Sequence, residues 1–249
     1  MIYVTGDTHG SYDIHKLSTR HWPEGRGLCR DDLLVICGDF GCVWNMDQSD
    51  LYWQDWLEEK PWTTLWVDGN HENHDLIDTF EVEELFGGHV QRVPGHPHVI
   101  HLMRGEVYDL PVGDGACARC FVMGGATSTD KEYRTPGKSW WERELPSNEE
   151  YARATANLER VGFAVDYVFT HTCPTAIKPY ALRWNYNIMR RDPETDELEG
   201  FLQWVDERLD HERLKVWYFG HYHADETCRD NQHALLYQQV VCLGELPVE

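Results

Sequence analysis

The chain has 249 residues, long enough for one large α/β domain with a substantial core. Its 22 basic and 43 acidic side chains leave a formal charge of −21, which argues against a surface built to grip long nucleic acid by its phosphates. No apolar run is long enough to span a bilayer, which argues against a membrane protein.

The apolar run Ile2-Tyr3-Val4 predicts a first strand that ends at Gly6-Asp7-Thr8-His9-Gly10, with a short helix from Tyr12 to Arg20. A second strand, Leu33-Leu34-Val35-Ile36-Cys37, ends at Gly38-Asp39-Phe40-Gly41. Ser49 to Glu59 reads as a helix, with Leu51, Trp53, Trp56 and Leu57 at roughly helical spacing, and Pro61 blocks its continuation. Leu65-Trp66-Val67 is a third strand, running into Gly69-Asn70-His71-Glu72. Val99 to Met103, Val107 to Leu110 and Cys120 to Met123 read as strands, with a turn at Arg104-Gly105, and together suggest a meander joining the two halves of the sheet system. Ser147 is placed as N-cap of a helix from Glu149 to Arg160, with Gly162 just past its end. Tyr167-Val168-Phe169 leads into Thr170-His171-Thr172, Gly200 to Leu209 is a further helix, and Val216-Trp217-Tyr218-Phe219 leads into Gly220-His221-Tyr222-His223. Two irregular polar segments, 126–145 and 173–199, leave the sheet near these blocks and are candidates for the rim of a site.

Each of the five polar blocks follows a strand, which is where open α/β sheets place their chemistry. Singly, each has a plain structural explanation: Gly-Asp is a common turn, and His-x-His sets two imidazoles on one strand face. Jointly they supply enough oxygen and nitrogen ligands for two adjacent metal ions. Their order, Asp-x-His, Gly-Asp, Gly-Asn-His-Glu, a lone His and Gly-His-x-His, resembles that of the calcineurin-like metallophosphoesterases. The resemblance spans nearly the whole chain, although its specificity lies in about ten residues. It implies a four-layer α/β/β/α sandwich of two mixed sheets flanked by helices, formed by residues 1–249 as one domain. It implies two divalent metal ions, manganese first, with iron or zinc as alternatives. Asp7, His9 and His223 would hold one ion, and Asn70, His171 and His221 the other. Asp39 would bridge them across about 3.5–4 Å. The nucleophile would be a hydroxide between the ions, and His71 would protonate the leaving group.

The serine/threonine protein phosphatases of this superfamily carry an Asp-Arg pair soon after the second Gly-Asp. Here the chain reads Asp39-Phe40-Gly41-Cys42-Val43-Trp44, without that arginine or the aspartate that orients the catalytic histidine. The resemblance is therefore closer to a bacterial or phage branch, and protein dephosphorylation is not expected. Arg134, Arg143, Arg183, Arg190 and Arg191 are candidates for a replacement phosphate clamp, with Arg143 and Arg183 preferred because their segments leave the sheet near the site. Trp140-Trp141 in the proposed rim could stack on a flat group or pack the loop down.

The expected activity is hydrolysis of a phosphate mono- or diester on a small, nucleotide-like substrate. The alternatives are a silent metal- or phosphate-binding protein on the same scaffold, and a nuclease. Cys117-x-x-Cys120 lacks the second pair that a zinc ribbon needs, and His96, His98 and His101 are read as ordinary surface or core imidazoles. Eight scattered cysteines, and a first ligand as early as Asp7 with no room before it for a signal segment, give the cytoplasm as the expected compartment.

Overall fold

The computed structural model describes residues 1–183, 196–228 and 231–248. Trp184, Arg190, Arg191 and the rest of 184–195 in the second proposed rim lie outside them.

Thirteen strands among the described residues form two sheets. The first has the order β13-β1-β2-β3-β6-β5-β4. Its centre is parallel: β1 (Ile2–Thr5), β2 (Leu33–Cys37), β3 (Thr63–Val67) and β6 (His96–Leu102) run together. The edges β4 (Val82–Leu85), β5 (Gly88–Val93) and β13 (Val241–Cys242) are antiparallel. The second sheet has the order β11-β12-β10-β9-β8-β7. Here β8 (Ala116–Met123), β9 (Tyr167–Thr170), β10 (Val216–Phe219) and β12 (His233–Leu235) are parallel, flanked by antiparallel β7 (Val107–Gly113) and β11 (Glu226–Thr227).

Every residue of β2, β3, β9 and β10 is buried, as expected for central parallel strands covered on both faces. Val4, Val35, Leu65 and Val67 from the first sheet meet Val122, Phe169 and Tyr218 from the second in one apolar cluster between the sheets. On the outer face of the first sheet lie α1 (Gln48–Glu58), α2 (His74–Ile77) and a 3-10 turn at Ile14–Leu17, packed through Ile14, Trp53, Leu57 and Ile77. On the outer face of the second lie α3 (Asn148–Arg160), α4 (Lys178–Leu182) and α5 (Glu197–Asp206), packed through Leu158, Ala181, Leu202 and Val205. This is the four-layer sandwich that the resemblance implied.

Local signals account for several boundaries. Ser147 caps α3 in a reciprocal box with Glu150, and Asp47 caps α1 through Ser49 and Asp50. The first predicted helix shrinks to the single 3-10 turn. The expected meander is not one: β6 belongs to the first sheet and β7 to the second, so the turn at Arg104-Gly105 carries the chain between layers. Gly105 sits at φ +78°, and a Cβ there would come within 2.9 Å of the α3 backbone, so this crossing requires glycine. Cys117 and Cys120 fall on one extended strand, the first exposed and the second buried, so the pair does not converge on a zinc. His96, His98 and His101 bond separate carboxylates, Asp55, Glu58 and Asp68.

Beneath β3, the Asp68 carboxylate is bonded by His101 (3.0 Å) and Arg104 (2.7 Å), all three buried, with His74 at 3.9 Å. Burial, reinforced by the Arg104 charge against the pull of Asp68, lowers the His74 imidazole to about 3. An unfolded chain would protonate it near 6.5. The folded state therefore gains stability from a neutral His74 above pH 6.5 and loses it as pH falls towards 3, by up to ~1.4 kcal/mol per unit. Between pH 7.5 and 5, urea unfolding should show the native protein losing about 2 kcal/mol more than His74→Asn. Equal losses would contradict a neutral buried imidazole.

Candidate metal centre

The five blocks converge because the carboxyl ends of the parallel strands of both sheets meet at one edge of the sandwich. Asp7 and Asp39 follow neighbouring strands β1 and β2, Asn70 and His71 follow β3, and His171, His221 and His223 come from β9 and β10 of the opposite sheet. Close approach explains the glycines. A Cβ on Gly38 would lie 2.0 Å from His171 Nδ1, and one on Gly69 would lie 2.1 Å from Asp39 Oδ1. Neither position can carry a side chain without displacing a donor residue of the cluster, so the blocks are glycine-bearing for steric reasons.

Three groups of donors lie with their ligand atoms within 4.8 Å of one another: Asp7, His9 and His223; His9, Asp39 and His71; Asp7, Asp39 and His171. Asn70 adds Oδ1 at 3.1 Å from His171 Nε2. His221 stands with its ring centroid 5.0 Å from that of His171, and its backbone N–H donates to Asp7 Oδ1 (3.0 Å). All seven residues read as metal ligands from the sequence, together with His71, are thus brought together.

Their neighbours orient them. His9 Nδ1 donates to Asp13 Oδ2 (2.8 Å), turning Nε2 towards Asp39 Oδ2 (3.2 Å). His171 Nδ1 donates to the Cys37 carbonyl (3.0 Å), leaving Nε2 facing Asp39 Oδ1 (3.2 Å). Asp39 Oδ1 also accepts the His71 backbone N–H (2.8 Å), and its carbonyl accepts the N–H groups of Thr8 and His9. The Asn70 amide donates to buried Ser128 Oγ (3.2 Å), which directs its oxygen towards His171. Glu72, fully buried, accepts from the backbone of Phe40 (2.6 Å) and Gly41 (3.3 Å) and so pins the loop that carries Asp39. Lys16 lies beneath, its ammonium donating to the carbonyls of Gly6 (3.0 Å), Asp7 (2.7 Å) and Tyr237.

The site's electrostatics favour positive charge. Burial opposes protonation of His9, yet the hydrogen bond and charge of Asp39, with Asp7 and Asp13, raise it to about 10. His171 is likewise raised, against burial, to about 9 by Asp39 and Asp7. Burial would raise Asp39, but His171, His71 and His9 hold it well below the usual carboxylate range. His221, by contrast, is pushed well down by burial and then by His171. Carboxylates that draw protons onto two neighbouring imidazoles would draw a cation into the same place, in competition with those protons. Two carboxylates, four imidazoles and an amide oxygen at these separations fit a pair of borderline to hard divalent ions.

The clamp candidates are distributed differently from their sequence order of preference. Arg143 is held by Asp78 (3.0 Å) and Glu150 (2.8 Å), and Arg183 by Glu226. Arg134 instead sets Nη2 2.8 Å from Nε2 and 3.1 Å from Nδ1 of His71, and its guanidinium is held by Asp130 (2.7 Å). No carboxylate bonds the His71 ring among the described residues; its polar neighbour there is this arginine. Burial, then Arg134 and His9 against Asp39, keeps His71 below the ordinary histidine range. Trp141 is packed down, its indole N–H on Asp75 (2.9 Å) and its ring edge-on to Trp44. Segment 173–183 is not simply rim, since Cys173, Ile177 and Ala181 lie in the core of the second helical layer.

Asp13, Ser128 and Lys16 were not read from the sequence as parts of the site. Only Asp13 had a usable signal, four residues beyond His9 at a predicted helix start. Glu72 stood in its block with no role assigned.

Among solved structures, the chain is similar to one described as "Putative 5'-Nucleotidase from Staphylococcus aureus in complex with alpha-ketoglutarate", at 15% identity and a TM-score of 0.49. The match covers 95% of this chain and 48% of that one, so the chain spans about half the length of that protein. No curated protein matches. The model of the family described as Calcineurin-like phosphoesterase matches residues 1–225. With that match laid over two mixed sheets and a convergent Asp/His cluster, the chain belongs to the calcineurin-like phosphoesterases.

Proposed function

We propose that the chain hydrolyses esters of a small phosphorylated substrate at a dinuclear centre in which Asp7, His9 and His223 hold one divalent ion, Asn70, His171 and His221 the other, and Asp39 stands between them. The observation that carries this reading is the overlap of the donor groups: Asp7, His9 and Asp39 each belong to two of the three, as a shared centre requires. Manganese is the proposed metal, with iron or zinc compatible with the same donors. When bound, such ions supply a water that is deprotonated near neutral pH and positive charge for the phosphoryl oxygens.

The chain's own contributions follow from its contacts. Asp13 and the Cys37 carbonyl fix the imidazoles of His9 and His171, so that no reorientation is needed on binding. His71 is the proposed donor of the proton that the departing alcohol oxygen requires, standing with its ring centroid 5.4 Å from that of His9; because burial keeps its imidazole below the ordinary histidine range, the donating protonated form is the minor one near neutral pH. Arg134, rather than Arg143 or Arg183, is the proposed phosphate contact, because Asp130 already aims its guanidinium at the His71 side of the cluster. No described helix is long and apolar enough to cross a membrane. The eight cysteines are scattered over the fold, five of them buried, in keeping with a reducing compartment, and the cytoplasm is the proposed location.

Metal-stripped protein resupplied with manganese should hydrolyse nitrophenyl phosphate or its diester, and Asp39→Asn should abolish that turnover while lowering bound metal measured by mass spectrometry. The preferred ester assigns mono- or diesterase activity; turnover in Asp39→Asn equal to that of the native protein would sink the assigned centre. Arg134→Ala should cut kcat/KM by about 10–100-fold, as expected for a lost hydrogen bond to a charged group. Arg143→Ala and Arg183→Ala should stay within about twofold of native, well inside that loss. A drop at either of these with none at Arg134 would move the clamp.

A further inference from the structure

A cleft of about 730 Å³ opens from His9, His71 and His223 along the loop that joins β2 to α1. A phosphoryl group on the metal ligands would leave it unfilled, and its size suits a small organic molecule, for which about 300–1,000 Å³ is usual. We propose that this cleft receives the leaving group, and that it selects uncharged alcohols with a flat ring over alcohols that carry further phosphates or carboxylates. The proposal rests on the phosphoesterase reading of the same site and specifies its substrate class.

Two properties of the walls carry it. The first is aromatic surface held in place. Trp44 is half-buried, with its ring edge-on to Trp141 at 5.2 Å, its backbone N–H donating to Asp50 (2.8 Å) and its carbonyl accepting from Asn73 (2.6 Å). Tyr237 stacks on His223 at 4.8 Å and donates its hydroxyl to Asp13 (3.1 Å). Tyr12, also in the wall, is 84% exposed. A ring entering the cleft therefore meets preorganised faces, and little side-chain entropy is lost on stacking.

The second property is charge. Among the described residues the wall contains no lysine or arginine, but it contains Asp13, Asp47 and Asp50. Asp50 accepts three backbone N–H groups, from Trp44, Asn45 and Met46, and Asp47 caps α1, so both carboxylates are fixed by uncharged donors. Asp13 faces His9. A leaving group bearing its own anion would be desolvated against these carboxylates with no lysine or arginine of the wall to compensate, the histidines of the lining lying at the end where the phosphoryl group sits. Ser11, Asn45 and Ser49 supply polar atoms that suit hydroxyl or amide groups.

The reaction balances with water alone. The bond from phosphorus to the alcohol oxygen breaks, a bond from phosphorus to the water oxygen forms, and the alcohol oxygen leaves the cleft protonated, with the water's other proton released or retained on the phosphate. Nothing needs to be oxidised or reduced.

The test uses binding, so that it does not depend on turnover. Manganese-loaded protein is titrated by calorimetry with methylphosphonate and with two benzylphosphonates, one carrying a 4-carboxamide and the other a 4-carboxylate of nearly the same shape. The carboxamide should bind at least tenfold tighter than the carboxylate and tighter than methylphosphonate. Trp44→Ala should remove most of the gain from the ring and leave methylphosphonate affinity and metal content unchanged. Asp47→Asn, which still caps a helix, should narrow the gap between amide and acid. Equal affinity for the two benzyl compounds, or no gain over methylphosphonate, overturns the proposal. Hydrolysis of nitrophenyl phosphate without this selectivity would overturn the cleft assignment and keep the catalytic reading. Selectivity without hydrolysis would keep the cleft and remove the catalytic reading.

Discussion

Two carboxylates, Asp7 and Asp39, end adjacent parallel strands and are almost wholly removed from water. Burying two like charges side by side is among the most expensive arrangements a fold can contain unless positive partners surround them. The second sheet supplies such a partner, because its strand end brings His171 over both of the first sheet's acids, and the His221 backbone N–H donates to Asp7 beside it. The packing of one sheet on the other therefore does more than form an apolar core. It closes a charge pair across the layers, and each half of that pair would be destabilising without the other. The close glycines at Gly38 and Gly69 and the pinning of the Asp39 loop by Glu72 serve this same closure.

The strand ends and their ligand blocks were legible because period, burial and chemistry coincide there. A run of β-branched and aromatic residues that breaks at Gly-Asp or Gly-His announces both a central strand and what it presents. The Ser147 cap and the helix after it were equally local signals. What escaped were features that depend on which distant segment arrives. The passage of the chain between sheets at Gly105 looks like any hairpin turn until the neighbouring α3 backbone is in place. Ser128 and Lys16 are unremarkable residue types whose importance comes from Asn70 and from three carbonyls contributed by both ends of the chain. Choosing among five arginines had the same difficulty: Arg143 and Arg183 lay in suitable segments, but the acids at 78, 150 and 226 hold them, whereas Asp130 turns Arg134 towards His71.

Net charge and site charge act in opposite directions. A chain with a formal charge of −21 repels phosphorylated molecules at long range, within the reach that salt allows. In the proposed reading, attraction arises at contact, from cations held by the Asp/His cluster and from Arg134. This arrangement discriminates strongly by the number of anionic groups. A single phosphoryl group can sit where the positive charge is concentrated, while each additional anion on the same molecule must lie against acidic protein.

That asymmetry also assigns different work to the two segments beside the site. The 126–145 segment brings Ser128 to the Asn70 amide and Arg134 to His71, so its polar groups act on the phosphoryl side. The loop from Gly41 to Asp47 brings Trp44 and Asp47, with Asp50 of α1 accepting its backbone N–H groups, so it lines the proposed cleft for the leaving group. The edge contact between Trp44 and Trp141 joins the two segments. Loss of the Trp44 ring would therefore act on recognition of the leaving group, while the bond from Trp141 to Asp75 and the pair with Asp130 still hold the 126–145 segment and its guanidinium. The two segments are thus separable in what they do, the loop acting on the leaving group and the 126–145 segment on the phosphoryl group, although one aromatic contact joins them.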